Sequence, residues 1–133
     1  MNPMRFLLGA VFAAILLSVP VRYLHAQAST TPQLPAFYIS EFEVTDPEGI
    51  KPYSAAVEST FAPFGGRYVV RVGKAASLEG APPKRVVMIA FPSMEHALAW
   101  YNSPSYSELK PIRHKSATSR VFVVEGAAIP AQR

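Results

Sequence analysis

The chain has 133 residues, and its 13 basic side chains outnumber its 9 acidic ones. It has no cysteine, which excludes a disulfide framework and a thiolate metal site. Two basic residues, Arg5 and Arg22, lie in an apolar leader, so residues 29–133 hold 11 basic and 9 acidic residues, a net charge of only +2. Because these charges are interspersed, we expect no nucleic-acid partner.

Residues 1–28 are predicted to be a signal peptide. Arg5 supplies a positive charge, residues 6–19 form an apolar run of the usual length, and Ala26-Gln27-Ala28 is a small-x-small cleavage site. The run is shorter than the roughly 20 apolar residues of a spanning helix. The long stretch from Pro20 to Ala28, with Arg22 in it, leaves an uncleaved anchor as the alternative. We expect export to the periplasm, with membrane contact only through the leader before cleavage.

The remaining residues are enough for one compact domain. Residues 29–35 contain two prolines and predict a flexible linker. Residues 36–126 form the predicted domain, and residues 127–133 form a tail without periodic signal. Strand β1 is predicted over residues 36–44, with Tyr38, Ser40, Phe42 and Val44 on one face.

A helix is predicted next, because Thr45-Asp46-Pro47-Glu48 combines a capping side chain, an early proline and an acid. This helix should run to Phe61, and Pro52 predicts an irregular start. Strands are predicted over residues 67–73 and 85–91, joined by a loop over residues 74–83. Their closeness in sequence favours an antiparallel pair. The apolar face of the helix is predicted to contain Ile50, Tyr53, Val57 and Phe61.

Two short helices follow the third strand. Ser93 is the predicted N-cap of the first, and Asn102-Ser103-Pro104 separates it from a second over residues 104–113. A polar connection over residues 114–119 and a strand over residues 120–125 complete the domain. The predicted apolar face of the first of these helices contains Met94, Ala97, Leu98 and Tyr101, with Trp100 on its flank.

The element order β-α-β-β-α-β predicts an α+β, ferredoxin-like fold with a four-stranded antiparallel sheet. Runs such as Val86-Val87-Met88-Ile89-Ala90 and Val121-Phe122-Val123-Val124 are apolar on both faces of a strand. Such runs indicate a sheet buried on both sides. A domain of this size has no further element for the second face, so we expect a homodimer packed sheet to sheet. The alternative is that linker and tail cover it.

Short sequence words also stand in a characteristic order through this domain. They include Val44-Thr45-Asp46-Pro47, Ala62-Pro63-Phe64-Gly65-Gly66-Arg67-Tyr68, Leu78-Glu79-Gly80, Phe91-Pro92-Ser93, Trp100-Tyr101-Asn102-Ser103-Pro104, Leu109-Lys110-Pro111 and Val124-Glu125-Gly126. In these words the chain resembles DUF1330, a family of uncharacterised bacterial proteins in the dimeric α+β barrel superfamily. The resemblance implies a ferredoxin-like subunit and a sheet-to-sheet homodimer, and it implies no known activity.

The chain departs from the family pattern in three places. Val72 stands where the family usually has glycine. Ala81-Pro82-Pro83 replaces a slightly longer loop that usually carries a tryptophan, so a loop wall of any pocket is reshaped. The leader is unusual too, because most relatives look cytoplasmic.

Two groups of residues are candidates for ligand binding. Arg71 and Arg85 lie on neighbouring predicted strands and could hold a carboxylate in a bidentate manner. Tyr101, Tyr106 and Arg113 converge where the two short helices meet and could orient a polar head group. The structural alternatives are ion pairs of Arg71 and Arg85 with Glu41, Glu43, Glu79 or Glu125, a core position for Tyr101, and Arg113 capping carbonyls or pairing with Glu108.

His96 and Trp100 are four residues apart on one predicted helix and could serve haem or oxygen chemistry. The structural alternative is a surface histidine that rests on a half-buried tryptophan. Haem-degrading members of the resembled superfamily have an asparagine on the first strand, and this chain has none there, which counts against haem. Glu79 is a secondary acid/base candidate, although a solvated or arginine-paired role is the simpler interpretation.

The sequence lacks a glycine-rich phosphate loop, a His-Glu-x-x-His motif and a nucleophile elbow. We therefore expect neither a cofactor nor a metal, and the catalytic residues stay unknown. The leading hypothesis is an exported homodimer that binds a small organic acid or aromatic ligand in an apolar pocket, with cofactor-free oxygenase or isomerase chemistry as an option. The competing hypothesis is a non-catalytic stress or interaction module, which predicts a core without a ligand cavity.

Overall fold

The structure of the chain, a computed structural model, describes residues 33–128. The predicted signal peptide (residues 1–28) and most of the predicted linker and tail lie outside the described residues. Within the described part, no helix is long and apolar enough to cross a membrane. The elements in chain order are β1 (Ala36–Val44), α1 (Lys51–Phe61), a 3-10 turn (Ala62–Phe64), β2 (Arg67–Arg71), β3 (Arg85–Phe91), α2 (Met94–Tyr101), α3 (Pro104–Ser116) and β4 (Ala117–Glu125).

The four strands form one sheet in the order β2-β3-β1-β4, and each neighbouring pair is antiparallel. Tyr38 on β1 stands opposite Ile89 on β3 and Val123 on β4. This order and the placement of the helices on one face confirm the predicted ferredoxin-like α+β fold. The two central strands, β1 and β3, carry the buried residues of the layer between sheet and helices.

Two strand boundaries differ from the prediction. Strand β2 ends at Arg71 rather than at residue 73, because Val72 has a φ of 53° and cannot continue an extended strand. Strand β4 begins at Ala117, and Ala117 pairs with Val44 at the end of β1. The predicted polar connection over residues 114–119 is therefore wrong: α3 continues to Ser116 and β4 follows at once.

Helix α1 begins at Lys51, later than the predicted start at Thr45-Asp46-Pro47-Glu48. A turn over residues 47–50 precedes it, and Asp46 holds that turn by accepting a hydrogen bond from the Gly49 amide (2.9 Å). Pro52 lies in the first helical turn, where its missing N–H leaves no hydrogen bond unmade. The predicted irregular start is confirmed.

The core is an aromatic cluster around Trp100, which is 0% exposed. The Trp100 ring stacks on Phe91 with 5.3 Å between centroids and meets Tyr38 edge to face at 5.0 Å. Its indole N–H donates to Thr60 Oγ1 (3.0 Å). Trp100 is thus central rather than on the flank, and Leu98, assigned to the apolar face from the sequence, is 46% exposed. Helix α2 has only eight residues, and it turns Ala97 and Trp100 towards the sheet.

The sheet face opposite the helices is apolar over much of its area and carries the charged residues Glu41 and Arg120 towards one end. Phe37 and Ile39 on β1 and Met88 on β3 alternate with the helix-facing residues and are half-buried. On β4, Phe122 and Val124 are 39% and 43% exposed. This pattern explains why the strand sequences are apolar on both faces: one face packs against helices and the other presents an apolar surface.

Candidate functional site

A cavity of about 110 Å³ lies between α1 and the helix-facing side of the sheet. Its walls are mostly apolar, from residues such as Ile50, Val57, Val87 and Ile89. None of the described residues that line it is aspartate, glutamate or histidine. The polar and charged residues on its wall are Tyr38, Ser40, Tyr53, Ser54, Tyr68, Arg71 and Arg113.

The local sequence of β1 accounts for this space. Tyr38, Ser40 and Phe42 alternate with outward-facing residues and so point to the same side of the sheet as α1. Ser40 is buried, and its side chain is far smaller than the aromatic rings on either side. Because α1 presents Tyr53 and Val57 above this strand, the small side chain of Ser40 leaves room beneath the helix.

Arg113 brings a buried positive charge to the cavity. Its side chain comes from the last turn of α3 and the residue is only 4% exposed. One Nη atom donates to Ser119 Oγ, and the other lies 3.1 Å from His114 Nε2, while Nε has no hydrogen-bond partner. The expected alternatives, capping of carbonyls or a pair with Glu108, are not what the structure shows.

No carboxylate in the described part of the chain balances this charge. The ion pairs among residues 33–128 are Lys51–Glu48, Arg71–Glu58 and Lys84–Glu43, and none includes Arg113. Burial lowers the pKa of Arg113, but the nearby phenols, led by Tyr106, raise it, and the net direction is upward. The guanidinium is therefore charged at any physiological pH. A buried charge that lacks a partner is costly to the folded state.

Three buried phenols stand near Arg113. Tyr53 Oη and Tyr106 Oη are 3.2 Å apart and satisfy one another, whereas Tyr38 Oη has no hydrogen-bond partner. Burial raises the pKa of all three hydroxyls; Tyr106 raises the pKa of Tyr38 further, and Arg113 and Ser40 lower it in part. Each phenol is therefore neutral at physiological pH, so it can donate a hydrogen bond but cannot act as a base. Tyr106 stands behind Tyr53 and does not itself line the cavity.

Arg71 and Val72 form the solvent-exposed mouth of the cavity. The Arg71 guanidinium lies 3.3 Å from Glu58 Oε2 on α1 and 4.7 Å from the centroid of the Tyr68 ring. Its partner is thus Glu58 and not one of the glutamates expected from the sequence. An exposed pair of this kind contributes little to stability. Arg71 thus has a carboxylate partner, whereas Arg113 has none among the described residues.

The structure brings Arg71 and Arg113 to one cavity but does not bring Arg85 to it. Arg85 is exposed at the start of β3, where it pairs in register with Phe42. Tyr101 lies outside this cavity, with Lys110 Nζ 4.0 Å from its ring centroid, and lines a shallow cleft that also contacts Arg113. Trp100 and Tyr106, also predicted as ligand-binding residues, are wholly buried behind the wall.

His96 and Glu79, the secondary candidates, also lie elsewhere. His96 Nδ1 is 2.8 Å from Ser93 Oγ, and Ser93 caps α2 as predicted by accepting from the His96 amide. Trp100 next to it is fully buried rather than half-buried. Glu79 lies in the exposed loop over residues 72–84. Residues 33–128 contain no cluster of three histidine, aspartate or glutamate side chains that could hold a metal ion.

Sequence reasoning missed five polar residues of the site: Tyr38, Ser40, Tyr53, Ser54 and Tyr68. The signals were present, because Tyr38 and Ser40 alternate on β1 and Tyr53 belongs to the predicted apolar face of α1. A serine within an aromatic strand face, opposite a tyrosine on the covering helix, indicates a polar spot in the core. That pattern could have directed attention to this cavity.

The fold and the cavity together define a ferredoxin-like α+β domain with a cationic pocket beneath its first helix. The sequence profile of the domain of unknown function DUF1330 matches residues 35–127. The chain therefore belongs to the DUF1330 family. No curated protein matches it.

Solved structures share the fold at low sequence identity. A protein of unknown function from Rhodopseudomonas palustris, RPA0582, is 18% identical, with a TM-score of 0.54 over 73% of this chain and 85% of that one. SnoaB, a cofactor-independent oxygenase from Streptomyces nogalater, is 12% identical, with a TM-score of 0.52 over 74% and 99%. A hypothetical Arabidopsis thaliana protein is 16% identical, with a TM-score of 0.53 over 74% and 93%. These similarities concern the fold alone.

Proposed function

We propose that this protein binds a small organic anion with an apolar or aromatic body in the cavity beneath α1. The observation that carries the proposal is Arg113, a buried guanidinium with a free Nε and no carboxylate partner among the described residues. Tyr38, another residue of the cavity wall, has a hydroxyl without a hydrogen-bond partner. A ligand carboxylate or oxyanion would offset the charge of Arg113, because charge-assisted hydrogen bonds are the strongest that a guanidinium forms.

The size of the cavity limits the ligand to about one ring. An apolar cavity of about 150 Å³ is known to accept benzene, and this cavity measures about 110 Å³. Because its mouth is open at Arg71 and Val72, part of a ring can remain outside. Ile50, Val57 and Val87 would contact the apolar body. The volume is far too small for haem, and His96 lies outside the cavity, so both observations weigh against haem handling.

A homodimer is the second part of the proposal. A second copy of the chain is the natural partner for the apolar sheet face that contains Phe37, Ile39 and Phe122. Glu41 and Arg120 stand opposite each other on that face and would give a two-fold interface complementary charges. Light scattering at micromolar concentration should give twice the chain mass, and Ile39→Glu should give the single mass. A monomeric unsubstituted protein would refute the dimer.

Export is the third part, and it rests on the leader of residues 1–28. We propose that a signal peptidase removes this leader after Ala28 and that the protein acts in the periplasm. Intact mass measurement of the protein from a periplasmic fraction tests this directly. A chain that begins at Ser29 is the expected result, whereas a full-length chain in the membrane fraction would indicate the anchor instead.

The chemistry proposed for the ligand is cofactor-free oxygenation or isomerisation. An apolar cavity with a fixed positive charge would suit a reaction that passes through an anion. The similarity to SnoaB adds only the fold to this argument. Oxygen uptake or product formation by the protein alone, without added metal or cofactor, would test it. The non-catalytic interaction module remains the competing proposal, and the cavity favours ligand binding over it.

Calorimetry with benzoate and with the uncharged benzyl alcohol tests the binding proposal. We expect benzoate to bind and benzyl alcohol to bind at least tenfold more weakly, because a hydrogen bond to a charged group contributes about 1.5–3 kcal/mol. Arg113→Met should remove this preference. Arg85→Met is the matched control, because it removes an exposed arginine outside the cavity. Equal affinity for the two compounds would contradict the proposal.

A further inference from the structure

The groups that face the cavity can bind an anion, but none of them can accept a proton from a ligand. Tyr38 on β1, Tyr53 on α1 and Tyr68 on β2 contribute phenols, and Arg71 and Arg113 contribute guanidinium groups. Strand β3 contributes only Val87 and Ile89. Further charged or titratable groups stand just behind these: Glu58 beside Arg71, His114 beside Arg113 and Tyr106 beside Tyr53. The phenols are held neutral by burial, and the guanidinium groups are already protonated.

Arg113 and Tyr38 are both wall residues of this cavity, and Arg113 Nε and Tyr38 Oη are buried without a hydrogen-bond partner. The positive charge of Arg113 therefore lies beside a ligand oxygen placed against this part of the wall. A neutral ligand hydroxyl would leave that charge uncompensated. An ionised oxygen would offset it in surroundings that are mostly apolar, where electrostatic attraction is greater than in water.

We infer that the cavity is an oxyanion site that binds weakly acidic single-ring phenols or enols in their ionised form and so promotes their ionisation. This inference rests on the proposed function, namely anion binding beneath α1. The proton leaves to solvent through the open mouth between Arg71 and Val72, and no bond other than the ligand O–H is broken. The site thereby prepares the electron-rich form of such a ligand, which is the form that reacts with electrophiles.

An opposite charge within about 4–6 Å lowers the pKa of an acid by about 1–3 pH units. We therefore expect the bound ligand to have a pKa at least about one pH unit below that of the free ligand. By linkage, the ionised form then binds about tenfold more tightly than the neutral form. Tyr38→Phe keeps the ring and removes one donor, so it should reduce this shift without abolishing binding.

The test uses 4-nitrophenol, whose phenolate absorbs visible light and whose neutral form does not. The protein, purified as the cell processes it, is held in excess over the probe, and absorbance is followed across the neutral pH range. We expect the apparent pKa of the probe to fall by about one pH unit, with a smaller fall for Tyr38→Phe and none for Arg113→Met. Arg85→Met should behave as the unsubstituted protein.

Benzoate binding, measured on the same samples at neutral pH, separates the two proposals. If benzoate binds and the probe keeps or raises its pKa, the oxyanion inference is wrong and the anion-binding proposal stands. The same conclusion follows if benzoate binds and the probe does not. If neither compound binds, the proposed function itself is contradicted. If Arg113→Met fails to fold, Tyr38→Phe is the deciding variant. An unchanged pKa shift of the probe in that variant would show that the Tyr38 hydroxyl takes no part in the site.

Discussion

The aromatic core around Trp100 and the cavity beneath α1 lie side by side in the same layer. Buried polar atoms have hydrogen-bond partners in the core, whereas some at the cavity wall have none. In the core, the Trp100 indole donates to Thr60, and Tyr53 and Tyr106 satisfy one another. In the cavity, Tyr38 Oη and Arg113 Nε have no partner. Satisfied polar groups stabilise a fold, whereas unsatisfied ones reduce its stability.

This difference indicates which residues serve the fold and which serve a ligand. Tyr38 and Tyr53 belong to both regions, because each lines the cavity while the Tyr38 ring packs against Trp100 and the Tyr53 hydroxyl bonds Tyr106. The two regions should therefore respond differently to substitution. Core substitutions should lower the free energy of unfolding, and cavity substitutions should change binding while stability is kept or raised.

The largest expected effect is on the core side. Trp100→Ala removes a side chain that is fully buried and that contacts rings from β1, β3 and α3. We expect a loss of about 3–5 kcal/mol in the free energy of unfolding, measured by urea denaturation. Leu98→Ala on the same helix is the control, and its half-exposed side chain should cost less than about 1 kcal/mol. Equal losses in the free energy of unfolding for the two variants would show that Trp100 is not central to the core.

Arg113→Met should change the free energy of unfolding in the opposite direction. Replacement of a buried, uncompensated charge by an apolar side chain of similar length is expected to raise stability by about 1 kcal/mol or more. The hydrogen bonds to Ser119 and His114 are lost, which limits the gain. Urea denaturation without ligand measures it, with Arg85→Met as the exposed control that should change little. A clear loss of stability would mean that Arg113 is a structural residue and would weaken the case for a ligand.

The sequence predicted the fold better than the site, for physical reasons. Hydrophobic periodicity and turn residues suffice for the element order, and β3 has the predicted bounds. The start of β4 was missed because Thr118 and Ser119 look like loop residues, although they pair with β1. Arg113 was a candidate among several arginines. Its burial depends on the continuation of α3 to Ser116, which places the side chain beneath the helices.

The phenols could be located only in part from the sequence. The face of β1 that carries Tyr38 is readable from strand alternation, and Tyr53 is readable from helical spacing. Which hydroxyl finds a partner is decided by side-chain geometry between α1 and α3, where Tyr53 meets Tyr106. Likewise, Arg85 and Arg71 look equivalent in sequence, and only the register of β3 with β1 places Arg85 at the exposed end of the sheet.

Two Tyr→Phe substitutions, each of which removes a single hydroxyl group, compare the two regions. Tyr53→Phe removes a hydroxyl that bonds Tyr106 Oη and leaves that oxygen buried, so we expect a loss of about 1 kcal/mol. Tyr38→Phe removes a hydroxyl without a partner and should leave stability unchanged or slightly higher. Thermal or urea unfolding of both variants gives the comparison. A larger loss for Tyr38→Phe than for Tyr53→Phe would show that the Tyr38 hydroxyl is satisfied in solution.

The smallest expected effect lies at the mouth of the cavity. Val72 is a β-branched residue with a φ of 53°, a region that costs a non-glycine residue roughly 1–2 kcal/mol. Val72→Gly relieves this cost but adds chain entropy to the unfolded state, about 0.5–1 kcal/mol, so a net gain of about 0.5 kcal/mol is expected. Val69→Gly is the matched control, because Val69 is equally exposed but lies within β2 at negative φ, and it should lose stability. If both glycine variants lose stability equally, Val72 does not hold the left-handed conformation in solution, and the early end of β2 at Arg71 needs another cause.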